Sequence, residues 1–163
     1  MKPSVYIETT IVSYLVGWLN RNHLQVAANQ ELTRRWWVTR RSDFELFASP
    51  VVIDEASDGD ARLAEERLRF LAGLPLLRVT DTAYALQADL LRLANLPEKA
   101  RNDALHIAVA AVHGMEYLLT WNCTHIANAV TLPLVYDVCR GAGYEPPFVC
   151  TPQELMGVDD EQG

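Results

Sequence analysis

Three acidic residues stand where apolar stretches of this sequence meet a turn or the start of a helix. Glu8 follows an apolar run, Glu55 ends another, and Asp103 directly precedes the mostly apolar residues 104–112. A charge beside so much apolar sequence is costly to desolvate, and neighbouring carboxylates repel one another. A divalent metal ion is the usual compensation, so we treat these residues as candidate metal ligands.

Oxygen donors of this kind suit Mg²⁺ or Mn²⁺, which keep several waters and bind phosphates. Such an ion activates water and stabilises charge on a phosphoryl group, and two ions about 3.5–4 Å apart can clamp both the attacking and the leaving oxygen. Phosphodiester hydrolysis is therefore the reaction that the pattern favours.

The acids can meet at one edge of a sheet if the chain folds as its periodicity predicts. Strands are expected at about 5–7, 44–48, 76–79, 117–120 and 148–150, and helices at about 9–16, 24–40, 50–59, 60–72, 81–94, 103–114 and 132–141. Short apolar strands separated by helices predict the α/β class, with a mainly parallel sheet wrapped by helices.

Ligands bind at the carboxyl ends of the strands in open parallel sheets. Glu8 follows the first predicted strand, and Asn122 follows the strand at 117–120. Glu55 and Asp103 lie on helices that can reach the same edge. We therefore expect these four side chains to converge.

The composition is that of an ordinary globular protein. The 163 residues suit one domain, 1–163, and 50% are hydrophobic and 21% charged. The net charge of -7 argues against a protein that coats nucleic acid through bulk positive potential, so contact with nucleic acid must be local or metal-mediated.

Cysteine usage and hydropathy indicate where the protein works. The three cysteines are odd in number and lack a Cys-x-x-Cys spacing, so we expect no disulfide framework and no zinc site, and a reducing cytoplasm. No apolar stretch approaches the roughly 18 residues that a membrane span needs, and we expect no membrane association.

Four motifs, taken in order, resemble those of a known family. They are VYIETTIV at 5–12, DE at 54–55, NDALHIA at 102–108 and LLTWN at 118–122. The chain resembles PIN-domain proteins and is similar to the VapC-type toxins of bacterial toxin-antitoxin pairs, from residue 5 to about residue 155.

This resemblance implies an α/β/α sandwich and an endoribonuclease that depends on Mg²⁺ or Mn²⁺, acting as the toxin of a type II toxin-antitoxin pair. Glu8, Glu55, Asp103 and Asn122 match the four positions of the family's metal site, and Thr10 matches a hydroxyl residue that supports the first acid. The implied partners are an RNA substrate, an antitoxin protein and a second copy in a homodimer.

Two positions depart from the family pattern. The first acid is usually Asp, and Glu8 is one methylene longer; the fourth is often Asp, and Asn122 brings no charge. An alternative is therefore a catalytically degenerate PIN module that binds RNA or a protein partner without cleaving. A weaker alternative is a small-molecule phosphatase with an aspartyl nucleophile, which would need Asp at position 8.

Several of the candidate site residues also have a purely structural interpretation. Glu8 and Asp103 could cap the helices that they precede, and Asp54 competes with Glu55 because adjacent helical residues face different directions. Asp58 could support the site but is expected to be exposed, and His106 could act as a ligand or proton carrier but is expected to be a hydrogen-bonded core residue.

The segment at 34–41, RRWWVTRR, interleaves arginine with tryptophan. Such a segment could grip single-stranded nucleic acid by stacking and phosphate contacts. It could equally form a dimer or partner surface, since tryptophan and arginine are enriched in interface hot spots. On a helix, however, one tryptophan is expected to pack into the core.

Overall fold

The computed structural model describes residues 1–158 and shows a parallel sheet flanked by helices. The strands are β1 (Ser4–Ile7), β2 (Glu45–Phe47), β3 (Tyr117–Leu119) and β4 (Phe148–Cys150). The helices are α1 (Thr9–Leu15), α2 (Leu24–Thr39), α3 (Pro50–Ala56), α4 (Ala61–Leu71), α5 (Asp81–Leu93), α6 (Arg101–Val112) and α7 (Leu132–Gly141). Short 3₁₀ helices at Arg41–Asp43 and Glu98–Ala100 precede β2 and α6.

The sheet has the strand order β2-β1-β3-β4, and every pair in it is parallel. β1 and β3 lie at its centre, with Ile7 opposite Leu119 in the register. These two residues are fully buried, as expected when helices cover both faces of a parallel sheet. The predicted α/β class, with an α/β/α arrangement, is confirmed.

Helix α1 starts immediately after the sheet ends, and this places Glu8 at the junction. Glu8 has extended backbone angles and acts as the N-cap of α1. At the other end, Val16 returns to an extended conformation and Gly17 adopts a φ of 77°. The helix is therefore one residue shorter than the sequence predicted.

Helix α3 carries Pro50 at its start, as the sequence predicted. Proline is tolerated there because the first helical N–H has no partner within the helix. The helix ends at Ala56, before the predicted stop at Gly59, so it spans seven residues.

The strand predicted at 76–79 is wrong. Leu76 forms one isolated parallel bridge with Ala48, in which the Ala48 N–H donates to the Pro75 carbonyl and the Leu77 N–H donates to the Ala48 carbonyl. Pro75 has no N–H with which to extend this pairing towards the N-terminus. Leu76 is also 48% exposed, so little burial favours a longer edge strand.

Helix α6 explains the long apolar run of the sequence. All residues from 104 to 111 are buried, and the helix packs against α5 and β3. A helix apolar all round is what a buried position requires. Within residues 1–158, no helix combines the length and apolar character that crossing a membrane demands.

Candidate active site

Glu8 lies deep at the carboxyl end of β1, with a relative exposure of 3%. One carboxylate oxygen, Oε2, accepts a hydrogen bond from the Thr10 backbone N–H at 2.7 Å. The other, Oε1, accepts one from the Thr120 hydroxyl at 3.1 Å. The predicted capping contact and the predicted position at the sheet edge are therefore both present in one residue.

Glu55 projects from α3 towards the same region, whereas its neighbour Asp54 is exposed. Its Oε1 accepts hydrogen bonds from the Thr9 hydroxyl at 2.8 Å and from His106 Nε2 at 2.5 Å. The side chain keeps 31% of its surface accessible. Of the two adjacent acids, Glu55 is the one that faces the other candidates.

Asp103 lies in the first turn of α6 and is half-buried. The Asn122 side chain acts to lower the pKa of Asp103, while Asn122 Oδ1 accepts the His125 backbone N–H at 3.0 Å. Asn122 therefore influences the ionisation of Asp103, while its amide oxygen is engaged in the turn at 122–125.

Burial and mutual repulsion work against ionisation of two of the acids. Burial raises the pKa of Glu8, although His106 and the hydrogen bonds from Thr10 and Thr120 act to lower it. Burial also raises the pKa of Asp103, and the nearby charge of Glu55 adds to that rise. Ionisation of these two acids is therefore unfavourable in the folded protein unless a positive charge is added nearby.

His106 is the cationic or hydrogen-bonding centre among these acids. Burial alone would lower its pKa, but the hydrogen bond to Glu55 and the charges of Glu8, Glu55 and Asp103 raise it. Glu55 shows the reciprocal effect: partial burial acts to raise its pKa, yet the hydrogen bond and charge of His106 and the bond from Thr9 lower it.

Of the three predicted acids, Glu55 is the one that is hydrogen-bonded to His106. Glu8, Glu55 and Asp103 all act electrostatically on His106, and Asn122 joins the group through Asp103. Thr10 lies beside Glu8, and its hydroxyl accepts the Trp121 backbone N–H at 2.8 Å.

The donor chemistry of this group fits a hard divalent cation, because it offers carboxylate oxygens, the donors that Mg²⁺ and Mn²⁺ prefer. The residue types suit such an ion, but the side chains are not already arranged around a position for it. Among residues 1–158, no three His, Cys, Asp or Glu side chains lie close enough together to hold one ion. Both oxygens of Glu8 and Oε1 of Glu55 accept hydrogen bonds from the protein instead.

Sequence reasoning missed three contributors. His106 was expected to be a hydrogen-bonded core residue, and it is 1% exposed, but its partners in the site were not foreseen. Thr9 and Thr120 donate to Glu55 and Glu8, respectively. A usable signal was present, since each threonine directly follows Glu8 or the last residue of β3.

Both tryptophans of the segment at 34–41 lie in the core. Trp36 is fully buried and Trp37 is 6% exposed, so the expectation that one of them would pack inside understated the burial. Arg34 donates to the Gly17 carbonyl at 2.8 Å, and Arg35 is exposed. Stacking of bases on Trp36 or Trp37 is therefore excluded in this conformation.

Comparison with known proteins agrees with this architecture. The family model described as "PIN domain" matches residues 5–122. The solved structure of VapC20 from Mycobacterium tuberculosis, a sarcin-ricin loop cleaving toxin, aligns with a TM-score of 0.56 and 16% identity, covering 88% of this chain and 99% of that one. VapBC2 from Rickettsia felis, solved with a DNA fragment from its promoter, aligns with a TM-score of 0.50 and 14% identity, covering 91% and 98%.

At these identities the two structures show likeness of fold. No curated protein sequence matches the chain. The family model, by contrast, spans well over half of the sequence and contains Glu8, Glu55, Asp103 and Asn122. By that match, the chain belongs to the PIN-domain family.

Proposed function

We propose that this protein is a metal-dependent endoribonuclease that hydrolyses RNA phosphodiester bonds, and that it is the toxin of a type II toxin-antitoxin pair. Membership of the PIN-domain family supports a nuclease. The observation that carries the proposal is geometric: Glu8, at the carboxyl end of β1, is hydrogen-bonded to Thr10 and Thr120, and Glu55 of α3 is hydrogen-bonded to Thr9, the residue next to Glu8. Carboxylate oxygens at this edge of the sheet suit a divalent cation.

In this proposal Glu8, Glu55 and Asp103 hold Mg²⁺ or Mn²⁺, and Asn122 completes the site. The bound ion would supply activation of water and stabilisation of charge on the phosphoryl group. The protein's own part is to hold the acids in place: Thr10 supports Glu8 by its backbone N–H at 2.7 Å, and the Thr9 hydroxyl supports Glu55 at 2.8 Å.

An aromatic pair beside these residues supports RNA as the substrate. Tyr14 stacks on Trp121 with ring centroids 5.9 Å apart and planes 19° apart, and Trp121 immediately precedes Asn122. The Trp121 indole N–H donates to the Thr33 hydroxyl at 2.6 Å, which fixes that ring. Aromatic side chains of this kind favour unpaired bases, whose faces can stack on them.

The partner assignments belong to the same proposal. One solved neighbour is a VapBC complex, which supports an antitoxin for this chain. From the family resemblance we also propose a homodimer, a cytoplasmic location and a single domain over 1–163. Light scattering of the purified protein tests the dimer, and a mass equal to one chain would contradict it.

The direct test is cleavage of a mixed-sequence, end-labelled RNA with Mn²⁺, Mg²⁺ or EDTA, comparing the wild type with Asp103→Asn. We expect cleavage that needs metal and is lost in the variant. Asp54→Asn is the matched control, because it makes the same change at the exposed acid next to Glu55. Circular dichroism must show all three proteins folded, and equal cleavage by Asp103→Asn would contradict the proposal.

A second candidate function is a PIN module that binds RNA or a protein partner without cleaving. One observation favours it: both oxygens of Glu8 and the amide oxygen of Asn122 already accept hydrogen bonds from the protein. Calorimetry with Mn²⁺ separates the two functions. Saturable binding that Asp103→Asn abolishes supports the nuclease, and its absence from the wild type supports the inert module.

A further inference from the structure

A chain of hydrogen bonds runs from the core of the protein to Glu55. The Ser49 hydroxyl and the Tyr6 hydroxyl are 2.7 Å apart, and the Tyr6 hydroxyl is 2.7 Å from His106 Nδ1. The other ring nitrogen of His106, Nε2, lies 2.5 Å from Glu55 Oε1. The four residues come from β1, the start of α3, α3 itself and α6, so the chain links three separate elements.

Three of these four residues are almost completely removed from solvent. Tyr6 and Ser49 are 0% exposed and His106 is 1% exposed, whereas the Glu55 side chain is 31% exposed. Burying polar groups costs free energy unless each is hydrogen-bonded. Apolar residues would fill the same space without that cost. Packing alone therefore does not account for this chain of hydrogen bonds.

The direction of the hydrogen bonds follows from the acceptor at the end of the chain. Ionised Glu55 can only accept, so His106 Nε2 must carry the hydrogen and donate. In the neutral ring, Nδ1 then accepts from the Tyr6 hydroxyl, and the Tyr6 oxygen accepts from Ser49. In the protonated ring, Nε2 still donates to Glu55. The orientation of the last bond is the same in both charge states.

Glu55 is held from another side as well. The Thr9 hydroxyl donates to the same oxygen, Oε1, at 2.8 Å. Donors from α1 and α6 therefore meet on one carboxylate of α3, and free rotation of that side chain would break both contacts at once.

We infer that His106 is a positioning residue that fixes the Glu55 carboxylate at the site, and that Tyr6 and Ser49 fix the ring of His106. His106 neither binds the metal nor touches the substrate in this role. The consequence for catalysis depends on the proposed nuclease function, whereas the hydrogen-bond chain itself does not. Partners of this kind, which orient a ligand from behind, typically change metal affinity or activity by about 10- to 100-fold when removed.

The first test is made on the metal-free protein by nitrogen-15 NMR of the histidine side chains. We expect His106 to show a slowly exchanging Nε2–H, and we expect the signal of that proton to shift in Glu55→Gln. The ring nitrogen signals of His106 should shift in Tyr6→Phe. His113, whose Nε2 lies 2.7 Å from the Arg78 carbonyl, should be unaffected by either change. If the ring signals of His106 are unchanged in both variants, the inference is overturned.

The second test measures Mn²⁺ affinity and RNA cleavage. We expect His106→Gln to weaken Mn²⁺ binding and to lower kcat by about 10- to 100-fold with little change in KM, and Tyr6→Phe to act in the same direction with a smaller effect. His113→Gln is the matched control and should leave both unchanged. If His106→Gln fails to fold, Tyr6→Phe decides, because it removes one hydroxyl and keeps the ring.

The outcomes separate this inference from the proposed function. Wild-type metal binding and kcat in a folded Tyr6→Phe and a folded His106→Gln would overturn the positioning role while leaving the nuclease intact. Coupled His106 and Glu55 signals in a wild type that neither binds Mn²⁺ nor cleaves RNA would contradict the nuclease and support the hydrogen-bond chain.

Discussion

The Thr120 hydroxyl donates to Glu8 Oε1 at 3.1 Å, and this bond joins the carboxyl ends of the two central strands. It continues the β1–β3 pairing by one position, since the Glu8 backbone N–H donates to the Leu119 carbonyl at 3.1 Å. The same hydroxyl oxygen accepts the Asn122 backbone N–H at 2.9 Å. One threonine thus connects the first candidate acid with the turn that carries the fourth candidate residue.

The first prediction concerns Glu8→Gln and the dependence of stability on pH. Burial raises the pKa of Glu8 above its ordinary value of 4.5, so the folded protein binds this proton more tightly than the unfolded chain does. Its contribution to the free energy of unfolding is therefore most favourable below pH 4.5. It is lost as pH rises from there through the raised folded pKa.

The amide introduced by Glu8→Gln does not titrate, so the variant does not lose this contribution to the free energy of unfolding as pH rises. We expect the difference in free energy of unfolding between the variant and the wild type to change in favour of the variant by on the order of 1 kcal/mol when the pH is raised from about 5 to about 8. Urea denaturation in EDTA at both pH values measures the difference. A stability difference between the two proteins that stays constant with pH would contradict the prediction.

The second prediction concerns Asn122→Asp, which adds a carboxylate beside Asp103. Without metal, we expect the variant to lose about 1 kcal/mol of stability through repulsion between two partly solvated charges. With Mn²⁺, the extra anionic oxygen should strengthen binding, so the metal-induced rise in Tm should exceed that of the wild type.

Asn128→Asp is the matched control for that experiment. Asn128 Oδ1 accepts the Val130 backbone N–H at 3.0 Å, so it supports a turn as Asn122 does, and it is not among the groups that shift the pKa of Asp103. Thermal denaturation with EDTA and with Mn²⁺ should separate the two variants. An identical metal-induced rise in the wild type and Asn122→Asp would argue against a metal contact at this position.

The third prediction distinguishes core from surface in the segment at 34–41. Trp36 is fully buried and its indole N–H donates to the Leu155 carbonyl at 3.1 Å, so Trp36→Ala should cost about 3–5 kcal/mol in free energy of unfolding. Arg35 is exposed, and Arg35→Ala should change that free energy by no more than about 0.5 kcal/mol.

Urea denaturation measures both effects, and binding of a labelled single-stranded RNA completes the experiment. A fall in RNA affinity in Arg35→Ala with unchanged stability would assign that arginine to the RNA surface. Near wild-type stability in Trp36→Ala would contradict the placement of the ring in the core.

Local pattern was sufficient for much of the fold. The apolar run before Glu8, the proline at position 50 and the long apolar stretch after Asp103 predicted β1, the start of α3 and the buried helix α6. Such features can be read from sequence because side-chain periodicity, capping and proline geometry act within a few neighbouring residues. The candidate acids were found for the same reason, since a charge next to an apolar run is a local anomaly.

The contacts that organise the site are not local. His106 and Glu55 are 51 positions apart, and Glu8 and Thr120 are 112 positions apart. Tertiary structure alone determined that His106 turns towards Glu55, that Thr120 reaches Glu8, and that Trp36 and Trp37 both enter the core. It also reduced the strand predicted at 76–79 to one bridge. These outcomes depend on which surfaces meet when the layers pack. A local segment of sequence does not specify which distant segment it will contact.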